Sequence, residues 1–181
     1  MPNFEGTSAI ETYSGLAVDP LDPEPSMIRI EDVAHGLANT CRYAGQCRFY
    51  YSVATHAVYV SRELAEYDPI VQLYGLFHDA SEAYITDVPR PVKRELPEYD
   101  RIERDVLAAV WERLGVPAPT DKQWAAVMDA DDRLFRYEAE TLLSEFSPEP
   151  VPDLPHELSP GRPGEARQLF LDRAARLRER V

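Results

Sequence analysis

Three short stretches place metal-binding side chains inside patterns that otherwise read as buried helix: Ser52-Val-Ala-Thr-His56, Phe77-His78-Asp79-Ala-Ser-Glu82 and Ala130-Asp131-Asp132-Arg133. A fold that buries these segments must supply partners for them in its core. Trp124, Val127, Met128, Leu134, Phe135 and Leu142 recur at helical spacing and define one apolar face; Asp131 falls on that face and Asp132 does not. An unpaired carboxylate in apolar surroundings costs several kcal/mol, so a buried Asp is paired, protonated or bound to a metal. The segment 70–77 is apolar nearly all round and runs directly into His78-Asp79, so a central helix ends on two ligand-type residues. His56 lies on a stretch that opens with Ser52 and continues on one side with Val53, Ala57, Val60 and Leu64.

Two imidazoles and two carboxylates form a mixed nitrogen and oxygen set that suits one divalent transition metal, Mn, Co, Fe, Ni or Zn, better than Ca or structural Zn. Four protein ligands on an ion that takes six leave room for water and substrate, as a catalytic site requires. A lone His near an apolar face is ordinarily a satisfied core residue. Three such anomalies in a chain with four histidines reverse that reading.

The order of these residues, His56, then adjacent His78-Asp79, then a distant Asp131, resembles the HD-domain metal-dependent phosphohydrolases, over about residues 28–143. The strings Arg42-Tyr43, Tyr51-Ser-Val-Ala-Thr-His56, Leu76-Phe-His-Asp-Ala-Ser-Glu-Ala83 and Thr86-Asp-Val-Pro-Arg-Pro-Val-Lys93 resemble the branch of bacterial and archaeal 5'-deoxynucleotidases and of phage relatives that hydrolyse deoxynucleoside triphosphates. The resemblance implies an all-α, single-domain helical bundle around one metal site, held by His56, His78, Asp79 and Asp131. It implies phosphate-ester or anhydride hydrolysis, with Glu82 and Asp87 as the catalytic carboxylates. It also implies substrate contacts from Arg42, Tyr43, Val88, Pro89, Arg90 and Lys93, and a homodimer as the default assembly. Tyr43 stands where the branch more usually has Trp.

The residues themselves bear on those roles. Glu82 lies four residues beyond His78: if the helix continues, it sits one turn further along the same face; if the helix has ended, it is a first-turn surface acid. Asp87 precedes Val88-Pro89-Arg90-Pro91, where two prolines force an extended loop. Arg90, Lys93 and Arg94 crowd into that loop in a chain with two lysines and seventeen arginines. A protein of net charge −13 repels anions elsewhere, so these cations mark where a phosphate is held, unless they merely pair with Glu95, Glu98 and Asp100 nearby. Arg42 adds a bidentate grip. His35 reads as a packing or hydrogen-bonding residue, and His156, in a proline-rich tail, as irrelevant. That scarcity of spare histidines favours a single metal.

A chain of 181 residues, 44% hydrophobic, buries one core. Residues 1–26 read as an irregular arm, 27–146 as the core, 147–163 as a proline-rich linker and 164–181 as a terminal helix packing on the same domain or meeting a partner. Helical patterns cover 30–39, 53–66, 69–82, 98–114, 121–145 and 164–180, with Gly115 as a stop and Thr120 as a cap, and no strand pattern competes. No apolar run approaches about eighteen residues, and no basic region precedes an apolar one, so a cytoplasmic protein is expected; the resemblance implies a small nucleotide as its substrate. A pI near 4.7 argues against nucleic-acid or membrane partners. Cys41 and Cys47 fit neither a zinc nor a redox spacing and read as free thiols.

Overall fold

The computed structural model describes residues 8–181, and helices make up nearly all of its regular structure. In chain order these are α1 (Ile30–Asn39), α2 (Val53–Glu63), α3 (Pro69–Phe77), α4 (Glu82–Ile85), α5 (Arg90–Lys93), α6 (Pro97–Leu114), α7 (Asp121–Leu142) and α8 (Pro163–Arg178). The fold is all-α and shares one hydrophobic core. Local chemistry sets its boundaries. The Ser52 hydroxyl accepts from the Thr55 N–H at the start of α2, and Thr120 with Gln123 closes a reciprocal capping box on α7. Gly115, in the left-handed region at φ +74, terminates α6 by donating to Glu112 and Trp111 carbonyls.

One expected helix is two. The pattern over 69–82 predicts a continuous helix, but α3 ends at Phe77. Ala80, Glu82 and Ala83 then donate three residues back, to Phe77, Asp79 and Ala80. This tighter turn re-aims everything after His78.

α3 is the hub, with Val71, Leu73, Tyr74, Leu76 and Phe77 all buried and α2, α7 and α8 packed around it. Two glycines set the closest approaches. A Cβ on Gly75 would stand 2.5 Å from Leu64 Cδ1, so Gly75 leaves room for the buried Leu64 side chain between α3 and α2. A Cβ on Gly36 would stand 2.7 Å from the Ala83 carbonyl oxygen, so Gly36 brings α1 against α4 and fixes Glu82 from behind.

The terminal helix docks on its own domain. Phe170 is fully buried, edge-on to Phe77 at 5.1 Å, a burial that contributes about 2–3 kcal/mol. The segment 147–163 is non-helical, as its prolines require, but it is pinned rather than loose. His156 corrects the reading of it as irrelevant: it is buried, stacks on Tyr59 at 4.4 Å and bonds Glu63 through Nε2 at 2.8 Å.

The arm expected over residues 1–26 is partly ordered. Residues 1–7 lie outside the described part, and β1 (Ile10–Glu11) pairs antiparallel with β2 (Ala17–Val18). This hairpin is tied to α1 by the buried Asp32, whose carboxylate accepts from the Thr12 and Ser14 hydroxyls and from the Ser14 N–H. No helix among the described residues is long and apolar enough to cross a membrane.

Candidate metal centre and its cleft

His56 projects from the first turn of α2, His78 and Asp79 follow the end of α3, and Asp131 lies mid-way along α7. One ligand atom each from His56, His78 and Asp79 falls within a sphere of mutual distances below 4.8 Å. Asp131 joins them, with Oδ1 3.0 Å from His56 Nε2 and 3.9 Å from His78 Nε2. Asp79 Oδ2 lies 3.1 Å from His78 Nε2 and 3.8 Å from His56 Nε2. The helical register read from the apolar face of α7 holds, since Asp131 is buried and Asp132 exposed.

The hydrogen bonds fix which nitrogen faces the centre. His78 Nδ1 is 2.8 Å from the Gly75 carbonyl, which only accepts, so Nδ1 carries the proton. His56 Nδ1 is 2.8 Å from Glu138 Oε1 and donates to it. Both Nε2 atoms are buried without a hydrogen-bond donor and look onto carboxylate oxygens. An Nε2 lone pair opposite a carboxylate is repelled unless a positive charge, a proton or a metal ion, sits between them. Burial opposes protonation of His56, and Arg42 adds to that. Glu138 and Asp131 nevertheless outweigh both and hold the imidazole up at about 9. Burial raises Asp79 and Asp131 as well, but the imidazoles overcome it. They hold Asp79 down at about 2 and Asp131 well below the carboxylate range. The four residues therefore fit a divalent ion by donor type, by orientation and by their unmet demand for positive charge.

Glu138 was not foreseen. It is wholly buried on α7, two turns beyond Asp131, and it accepts from His56 and from Arg42 Nη2 at 3.2 Å. Burial raises its pKa, but His56 and Arg42 more than compensate and keep it ionised. The signal was available, because position 138 falls seven residues after Asp131 on the same apolar face.

A cleft of about 1080 Å³ opens onto the centre, and every expected site residue except His56, which lies sealed beneath it, lines the walls. Glu82 matches neither alternative: the helix breaks, yet the side chain is buried. Burial, reinforced by Asp79 and Asp87, lifts its pKa well above the usual range, and Oε2 has no partner. Asp87 is raised by burial too. Thr86, between these two acids, sits at φ +70, a strained conformation for a β-branched residue. Across the cleft, Tyr43 and Ala44 are also left-handed, at φ 55 and 51.

The cations are placed differently from expectation. The loop does run extended through 86–89, but Arg90–Lys93 then form one helical turn, α5. Arg90 bonds Asp131 and Asp132, both at 2.8 Å, and Lys93 bonds Glu103 at 2.6 Å; neither pairs with Glu95, Glu98 or Asp100. Arg42, expected as an open phosphate grip, is buried and spends its charge on Glu138 and, at 3.9 Å, Asp79. Tyr43 donates to the Phe135 carbonyl at 3.2 Å, which ties this loop to α7. Leu107, Trp124, Met128, Phe135, Leu143 and Phe146 add apolar surface to the lining, and the Arg90 guanidinium lies 4.9 Å over the Phe135 ring.

The remaining assignments settle simply. His35 stacks on Tyr13 at 4.0 Å, a packing role. Cys41 and Cys47 are free, and burial pushes the Cys47 thiol up to about 12, an unreactive form.

No family model matches the chain. It is 40% identical over 112 residues to the uncharacterized protein YfdR of Escherichia coli (strain K12), a match covering 61% of this chain and 60% of YfdR. It is 38% identical over 140 residues to the uncharacterized protein RCAP_rcc00048 of Rhodobacter capsulatus, covering 71% of this chain and 70% of that protein. The chain belongs to the same protein family as this Rhodobacter capsulatus protein.

Proposed function

We propose that this protein is a metal-dependent phosphohydrolase of the HD type that acts on small nucleotides in the cytoplasm and releases phosphate from deoxynucleoside 5'-monophosphates. One observation carries the reading. Two buried imidazoles, each with its Nδ1 proton committed elsewhere, aim their Nε2 atoms at Asp79 and Asp131 on the floor of a cleft. His56, His78, Asp79 and Asp131 would hold one divalent transition metal, which when bound acidifies water and draws charge from a phosphoryl oxygen.

The chain's own groups supply the rest. Glu82, buried and with its pKa pushed up by that burial and by Asp79 and Asp87, is a proton carrier beside the centre, and Asp87 shares its wall. Arg90 and Lys93 stand at the rim, half and about a quarter exposed, with side chains long enough to exchange Asp132 and Glu103 for an arriving phosphate. Val88 and Pro89 continue that wall. Trp124, Phe135 and Phe146 line the same cleft, with the Arg90 guanidinium 4.9 Å over the Phe135 ring, so a base stacked on these rings would keep its phosphate within reach of Arg90.

The second reading is release of triphosphate from a deoxynucleoside triphosphate, which a cleft of about 1080 Å³ has room to hold. The test is phosphate and triphosphate release from a panel of nucleoside mono- and triphosphates, after chelation and with Mn, Co, Ni, Zn or Mg restored. Metal-dependent phosphate from the monophosphates is expected. Triphosphate release moves the protein to the second reading, and silence across the panel leaves a non-catalytic nucleotide-binding module.

A further inference from the structure

A second cavity of about 590 Å³ shares no lining residue with the cleft and is bordered by Tyr13, Ser14, Arg29, Glu31, Arg113 and Arg167. Its three arginines come from three separate elements: Arg29 at the threshold of α1, Arg113 in the last turn of α6 and Arg167 in the second turn of α8. None of these three forms an ion pair among the described residues. Glu31 is the one acid on the rim, so the cavity holds a positive surplus inside a strongly negative protein.

The donors there are positioned and unspent. Arg113 Nε donates to the Ile28 carbonyl at 3.0 Å, which anchors the guanidinium and leaves its terminal nitrogens unpartnered among the described residues. Arg167 lies over the Tyr13 ring at 4.8 Å, and its Nε is buried with no partner. α1 begins at this point without a side-chain cap, so its first N–H groups and its positive dipole end add to the field.

We propose that this cavity is a second ligand site, separate from the cleft, for a small molecule carrying a phosphate chain. Three planar guanidinium forks offer more N–H donors than the two oxygens of a carboxylate can accept, whereas a di- or triphosphate supplies enough oxygens for all three. The cavity is larger than a single phosphate needs. The net charge of −13 repels an extended polyanion such as nucleic acid, so a small ligand is selected. The site is independent of the reading given to the metal centre.

The test is calorimetric titration of inorganic triphosphate into metal-stripped, chelator-free protein. Three forms are compared: the unmodified chain, Arg29→Gln/Arg113→Gln, and a control, Arg176→Gln/Arg178→Gln, that removes two exposed charges at the end of α8 outside both cavities. Saturable binding is expected, weakened about tenfold or more by the first pair, because each lost charged hydrogen bond is worth a factor of that order, and by no more than about twofold by the control. Arg29 makes no side-chain bond among the described residues, so Arg29→Gln alone keeps the test valid if the double variant fails to fold, with a smaller loss in the same direction. No saturable binding, binding unchanged in Arg29→Gln/Arg113→Gln, or an equal loss in the control overturns the proposal. Repeating the titration with ATP identifies the source. Equal affinity assigns the phosphate chain alone and tighter binding assigns a nucleotide, and both keep the site.

Discussion

Two polar clusters are buried in this molecule, and they close in opposite ways. Between α8, α2 and α3, Arg173 donates to the Ser61 hydroxyl, the Ser61 carbonyl and Gln72 Oε1, while Gln72 Nε2 donates to the carbonyls of Ala65 and Tyr67. Every partner is neutral, and Arg173 Nε and Nη2 and the Gln72 amide each meet an acceptor of this chain. Around His56 the balance is reversed. The carboxylates of Asp79, Asp131 and Glu138 and two imidazole Nε2 atoms face one buried arginine, Arg42, with Arg90 reaching in from the rim. A cluster that satisfies itself is architecture. One that sets lone pairs against carboxylates is built for positive charge that the chain does not supply in full.

The sharpest break in this comparison comes from Asp131→Ala, which should abolish metal-dependent phosphate release in a steady-state assay, whereas Asp132→Ala should spare it. The reverse result would overturn the register of α7. Glu138→Gln removes the anion that orients His56, and should weaken metal binding by about 10–100-fold in a calorimetric titration. Arg173→Met leaves Ser61 and Gln72 without their donor, and should cost about 1–3 kcal/mol in urea unfolding while one ion per chain still binds. A lost ion in that variant would mean the two clusters are not separate.

A gentler probe is pH. The His56 pKa is raised from its ordinary 6.5 to about 9, so its contribution to stability is full below 6.5 and lost as pH rises through 9. The melting temperature of metal-stripped protein should fall by several degrees across that window, and that of metal-loaded protein, whose ligating imidazole is neutral throughout, should not. Smallest of all, Asp132→Ala removes an exposed ion pair with Arg90 and should change stability by less than about 1 kcal/mol.

How far the sequence could be read depended on whether a feature was local. The helix types, the Ser52 and Thr120 caps and the Gly115 stop are local and were legible. The burial of Asp131 was too, because helical periodicity alone separates it from Asp132. Glu138 obeyed the same periodicity, and went unnoticed because attention followed the apolar positions and the metal-ligand types already in view. Glu82 was open because the switch to three-residue hydrogen bonding after Phe77 carries no Gly or Pro to announce it. The partners of Arg90 are 41 and 42 residues away on α7, beyond any local pattern, so nearby acids were the natural but wrong alternative. His156 misled for the converse reason. A proline-rich stretch announces the absence of helix, and says nothing about whether its side chains dock.

The most direct test of the account is metal uptake by the stripped protein, followed by elemental analysis after equilibration with Mn, Co or Zn and gel filtration. The account requires close to one tightly held ion per chain in the unmodified protein and none in Asp131→Ala. Uptake that never saturates, or that is the same in Asp131→Ala, would contradict it.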